Sequence, residues 1–307
     1  MATEHGTRNP QQDRSEQGGL FKTSTSRRHA LDWLFLVLVF VATMIGLVVL
    51  AVLLVDIAVD GVPRLSWKFI TSFPSVIPEN SGIYPALLGS VWLVALTALI
   101  SVPLGIGAAV YLEEYAADTW LTRFIEVNIS NLAGVPSIIY GLLGLGIFVN
   151  LLPSVTSGES ILSGALTLSL LILPIIIIAT REALRTIPNA VREGGYALGA
   201  TRWEVIRSHL LPMALPGALT GTILALSRAI GEAAPLIVVG AATYITFAPT
   251  GPLSNYSALP IQIFSWISQP QPGFQTAAAA GIVALMIVLL LTNSVAVMLR
   301  NKYQKRV

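Results

Sequence analysis

Arg228 and Glu232 are the two ionisable residues of the apolar run 215–241. Four residues apart on a helix, they lie one turn apart on the same face, where guanidinium and carboxylate can pair. With a helical rise of about 1.5 Å per residue, Arg228 lies roughly 20 Å beyond Leu215, near the middle of the run. A charge at that depth in hydrocarbon costs a few kcal/mol on insertion scales, so it faces a bundle interior or an aqueous cavity. Two uses fit the pair. It can be a structural ion pair between helices, or Arg228 can meet an anion, since its planar fork matches two oxygens of a tetrahedral oxyanion. In the second use Glu232 is the alternative partner that keeps Arg228 neutralised without substrate. Other chemistries have less support. Cysteine is absent, which removes disulfides and thiol chemistry. No G-x-x-x-x-G-K-[ST] occurs, so the chain has no P-loop for nucleotide phosphates. No metal ligand set and no catalytic group are assigned.

The elements that must hold this pair follow from composition. Apolar residues make up 54% of the 307, and charged residues only 11%, against roughly 25% in a soluble domain. A soluble chain of this size would still have to cover its surface with polar groups, so lipid must be the main solvent. Crossing the hydrocarbon takes about 20 apolar residues. Six stretches qualify, with spans at about 34–57, 84–112, 127–152, 160–180, 215–241 and 276–299. The first has 22 uncharged residues at 34–55, too long for the apolar core of a signal peptide. The pattern predicts an all-α integral membrane protein with six transmembrane helices. It divides into a polar, disordered tail at 1–30 and a transmembrane domain at 31–307. A net charge of +2 gives no argument for nucleic acid.

Basic residues set the orientation. Arg8, Arg14, Lys22, Arg27, Arg28, Arg123, Arg181, Arg185, Arg192, Arg202, Arg207, Arg300, Lys302, Lys305 and Arg306 fall on one side, and only Arg64 and Lys68 on the other. Both termini are therefore expected in the cytoplasm. The segment 242–275 has no Lys or Arg, as suits an external loop.

The cytoplasmic loop 181–212 carries its own structural signals. Pro188 suits a helix start and Gly199 a left-handed stop. Thr201 and Glu204 have the spacing of a capping box that starts a second helix, with Pro212 expected to end it. Two short helices joined at a glycine also describe a DNA-binding helix-turn-helix. Short tethers to membrane spans on both sides exclude entry into a major groove. A docking element for a cytoplasmic partner remains.

Glu193-Gly194-Gly195, then Gly199, then His209-Leu210-Leu211-Pro212 resembles the EAA loop of ABC importer permeases. Two departures stand out: glycines where two alanines are usual, and His209 in place of an aliphatic residue. Further segments resemble the PstA family of phosphate importer permeases. They are Ile83-Tyr84-Pro85-Ala86-Leu87-Leu88-Gly89, Tyr111-Leu112-Glu113-Glu114-Tyr115, Asn131-Leu132-Ala133-Gly134-Val135-Pro136-Ser137, the run from Ser227 to Leu236, and Ala258-Leu259-Pro260-Ile261-Gln262-Ile263. The similarity reaches from about residue 30 to the C-terminus. It implies the type I ABC importer permease fold and a place in the bacterial-type inner membrane. It also implies a PstC-like second permease, a PstB-like ATPase dimer that binds the ATP, and a PstS-like external phosphate-binding protein. Glu193, Gly194, Gly195, Gly199, Leu211 and Pro212 are implied in ATPase coupling, and Arg228 with Glu232 in the substrate pathway. PstA relatives often carry a basic residue near Ile178; here Arg181 comes three residues later and reads as a positive-inside anchor.

The rivals are an ion-coupled secondary carrier, a permease for another oxyanion such as sulfate or molybdate, and a membrane-embedded phosphate sensor. The first is disfavoured because carriers often show inverted repeats and several midplane charges. Glycines and prolines within the spans are expected to serve close packing and kinks. The loop 242–275 is expected to include a short helix lying at the outer interface.

Overall fold

The structure, a computed structural model, describes residues 25–304, and among these every regular element is helical. Helix α1 is Thr25–Gly61, so the last residues of the expected tail are already helical, and the rest of that tail lies outside the described residues. The chain forms two compact units that meet at Asp56 and Ile57. The first consists, as far as it is described, of the greater part of α1, whose apolar side chains from Leu31 to Val55 are almost all exposed. That is the expected surface of a helix solvated by lipid.

The second unit is built around α5, Ile161–Arg185. Ile161, Leu168, Ile172 and Ile176 are fully buried on it. Helix α2, Tyr84–Val110, and helix α8, Leu211–Gly231, pack against it. Lipid tails are as apolar as leucine, so spans associate through close packing and interhelical hydrogen bonds. Both devices are present. Gly217 and Gly221 of α8 face Ala183 and Ala179 of α5, and a Cβ on Gly221 would stand 2.1 Å from the Ala179 methyl. Between α2 and α5, the Thr97 hydroxyl donates to the Ala165 carbonyl and the Ser169 hydroxyl to the Thr97 carbonyl, each at 3.4 Å.

Among the described residues, five helical stretches are long and apolar enough to cross a membrane, and a sixth if one bent pair is a single span. That pair replaces the continuous third span expected at 127–152. Helix α3, Trp120–Leu132, and helix α4, Ser137–Gly144 with its π-helical continuation to Leu151, meet at a 106° bend. The cause is local: Pro136 has no N–H and excludes Val135 from helical geometry.

The expected fifth span also changes. After α6, Asn189–Ala197, the chain starts α7, Arg202–Val205, then a π turn at Ile206–Leu210, then α8. Pro212 therefore does not end the helix. The π turn absorbs a register change just before it, and the proline sits in the first turn of α8, where a missing N–H is tolerated. The run instead breaks after Gly231 and resumes as α9, Ala234–Val239, which Gly240 stops at φ +95°. Helix α10, Leu259–Ile267, is the short helix of the 242–275 segment. It does not lie free on a surface: Leu259, Ile261, Gln262, Ile263 and Trp266 are buried, and it packs on α11, Pro272–Gln304.

Candidate functional site

Two places carry the residues singled out in the sequence. At the first, Arg228 in the last turn of α8 donates from Nε to Glu232 Oε1 at 3.2 Å. The pair is not one helical turn, because the helix ends between the two residues. Glu232 is in extended geometry at the α8 C-cap (φ −81°, ψ 112°). Arg228 thus faces the negative end of the helix dipole as well as a carboxylate. Its side chain is 44% exposed and that of Glu232 19%. The break passes the chain to α9, which lies on α4 so closely that a Cβ on Gly141 would meet the Pro235 backbone at 2.8 Å. The arginine stands beside the break between α8 and α9, with only Nε of its fork engaged.

At the second place α6 and α7 form the expected turn. Gly199 has φ +83°, a left-handed conformation that a β-branched residue adopts only under strain. The Thr201 N–H and hydroxyl both donate to Glu204 Oε2 at 2.7 Å, and the Glu204 N–H returns to the Thr201 hydroxyl at 3.4 Å. The Thr201 backbone donor, then its hydroxyl, hold the Glu204 carboxyl below the usual carboxylate range. A Cβ on Gly195 would lie 2.6 Å from a Val205 methyl, whereas Gly194 faces open space. Glycine at 195 therefore lets α6 and α7 approach. His209 is exposed, so its polarity disturbs no packing. Glu193 is exposed, and Leu211 and Pro212 are half-buried at the base of the turn.

Reading the residues missed what surrounds this turn. Leu198 at its tip is 90% exposed, with Tyr196 and Trp203 also open. An apolar tip on an otherwise polar turn is the signature of a docking surface. The sequence also missed an ion-pair cluster at the end of the bundle where α5 hands over to α6. Arg181 is no exposed anchor. It is buried, and donates from Nε to Glu113 at 3.2 Å and from Nη2 to Glu126 at 2.6 Å. Arg185 also reaches Glu113, at 3.0 Å. Arg192 of α6 holds Glu114, at 2.7 Å. Its pKa is raised by that hydrogen bond. The available signal was charge: Glu113 and Glu114 sit on the side that the arginines of 181–212 were assigned to. Arg181 is thus engaged by two carboxylates, whereas Arg228 has Glu232 as its one carboxylate partner. Among the described residues no three His, Asp or Glu converge as metal ligands.

Residues 101–305 match the family of binding-protein-dependent transport system inner membrane components. The chain belongs to that family. It is a multi-pass permease subunit of an ABC importer and not a catalytic chain. A probable ABC transporter permease protein, YqgI of Bacillus subtilis, is 35% identical over 77% of this chain and 84% of its own length. The phosphate transport system permease protein PstA 1 of Mycobacterium tuberculosis is 33% identical over 92% of each chain. Solved structures share the fold. A bacterial alginate ABC transporter matches with a TM-score of 0.63 at 16% identity, covering 88% of this chain and 94% of that one. The MetNI methionine transporter in an inward-facing conformation matches with a TM-score of 0.56 at 21% identity, covering 72% and 94%. These likenesses place the permease in the type I ABC importer fold.

Proposed function

We propose that this permease is one half of the translocation pathway of an ATP-driven phosphate importer. The observation that carries the reading is Arg228, half open beside the break between α8 and α9, with one carboxylate partner that an anion can displace. Similarity to PstA 1 over nine-tenths of both chains supports phosphate as that anion. In this reading a PstC-like subunit supplies the other half of the pathway. A PstB-like dimer binds and hydrolyses the ATP, and a PstS-like protein delivers phosphate from outside. The basic residues put both termini and the α6–α7 turn in the cytoplasm. The exposed tip around Leu198 then enters the ATPase, with Glu193, Gly194, Gly195, Gly199, Leu211 and Pro212 shaping the turn that presents it. Closure of the ATPase moves this turn, and access to Arg228 alternates between the two sides of the membrane.

Uptake of radiolabelled phosphate by the assembled complex in proteoliposomes tests the assignment. Arsenate, with the same geometry and charge, should compete, and sulfate should hardly do so. Competition by sulfate or molybdate instead of arsenate would reassign the permease to that oxyanion.

A further inference from the structure

Arg192 does more than cap a helix. Its guanidinium reaches at once the π turn after α2, the end of α5 and the link that follows it. Nη2 and Nε donate to Glu114 at 2.7 Å and 3.2 Å, Nη2 also donates to the Leu184 carbonyl at 3.1 Å, and Nη1 to the Ile187 carbonyl at 3.0 Å. Leu184 and Ile187 belong to the end of α5 and the residues just past it, where backbone carbonyls lack helical partners. Glu114 belongs to the π turn Tyr111–Tyr115 that closes α2. The exposures are 16% for the Arg192 side chain and 5% for that of Glu114, so water does not substitute for either partner. The neighbouring Glu113 completes the arrangement by tying the same π turn to Arg181 and Arg185 of α5.

We propose that Arg192 and Glu114 are positioning residues for coupling: they make α6 one rigid body with the bases of α2 and α5. This rests on the reading that the α6–α7 turn receives the ATPase. Helix α6 has only nine residues, Asn189–Ala197, none of them buried. A helix so short, whose apolar packing is limited to Val191 on the cluster of Leu184, Ile187 and Val205 and to Gly195 against Val205, is held weakly by burial and would pivot about Pro188 when pushed. Arg192 removes that freedom. A lysine in its place would carry the charge without the fork that reaches a carboxylate and two carbonyls together. A displacement of α6 therefore arrives undiminished at the feet of α2 and α5. Helix α5 in turn packs on α8, whose last turn holds Arg228.

The absence of cysteine gives a clean background for paired labels. Spin labels at Ala117→Cys and Ala190→Cys, both exposed positions, report the separation of the π turn from α6 in the complete complex. The expected result is one narrow distance that is the same without nucleotide and with ATP trapped. A distance that changes with nucleotide state overturns the proposal without any change to the pair itself. In the same background Glu114→Gln or Arg192→Gln should broaden the distance and lower phosphate moved per ATP hydrolysed at least about tenfold, with Arg192→Lys in between. A full transport ratio in the Gln variants overturns it, as does a loss of uptake and hydrolysis in step with loss of assembled complex. Leu198→Asp separates the two ideas. If that variant still captures the ATPase at full strength, the coupling surface itself is misplaced. If capture is lost while Glu114→Gln couples normally, only the rigid link fails.

Discussion

Arg228 and Glu232 together define the residue scale. Their pairing was legible because both interrupt an apolar run at a spacing of four, but the break between them was not. The carboxylate hangs from the extended end of α8 and is free to swing away without unwinding a helix. That separates two tests. Arg228→Lys keeps the charge and loses the fork, so phosphate uptake should fall at least about tenfold while the complex assembles normally. Glu232→Gln frees the arginine, so phosphate should bind more tightly to the complex and leave more slowly. Replacing both by apolar residues gives the deciding case, since a pair that only holds helices together is replaceable by apolar groups of similar volume. Assembly without uptake supports the anion-contact role, and recovered uptake would refute it. An arginine side chain 44% exposed within the isolated chain is poorly placed for a purely structural pair.

Between elements, glycine decides two outcomes for different reasons. At Gly199 nothing stands within 4 Å, so a substitution there meets only backbone strain at φ +83°. That strain is worth about 1–3 kcal/mol. Gly199→Val should lower the ratio of phosphate uptake to ATP hydrolysis at normal expression, and Gly199→Asn, which tolerates this conformation, should do so less. Normal coupling by the valine variant would count against the role of the turn. At Gly221 the backbone angles are helical and the obstacle is Ala179. Gly221→Val forces α5 and α8 apart and should destabilise the chain by about 1–3 kcal/mol. Thermal unfolding in detergent checks this. Gly146→Ala, with open space around it, is the control that should leave the melting temperature almost unchanged. The capping box and the glycine stop were readable in advance because each is set by residues a few positions apart. Pro212 was misread as a stop because its effect depends on the π turn before it, which no spacing rule reports.

For the whole molecule, the six apolar runs, the lipid environment and the sidedness of the basic residues come from the sequence alone. Each is a sum over many residues, governed by the free energy of transfer to hydrocarbon, and does not depend on how the helices meet. The EAA-like loop and the segments around Pro85, Glu113, Pro136 and Arg228 likewise sufficed for the family resemblance. What needed the tertiary structure was every property that arises between distant segments. Glu113 and Glu114 are about 70 residues from the arginines that hold them, and only packing of α2 on α5 brings them within 3.2 Å or less. Arg181 read as an anchor because a basic residue at a span end looks the same whether it faces water or two carboxylates. The third span read as straight because hydropathy sums over a run and is blind to the 106° turn at its single proline. The burial of helix α10 was not legible because its partners on α11 lie beyond it in the chain. Transfer energies are local and additive, so sequence fixes which segments enter the membrane; ion pairs and close contacts depend on distance in space, so only the fold decides which charges remain free to meet an anion.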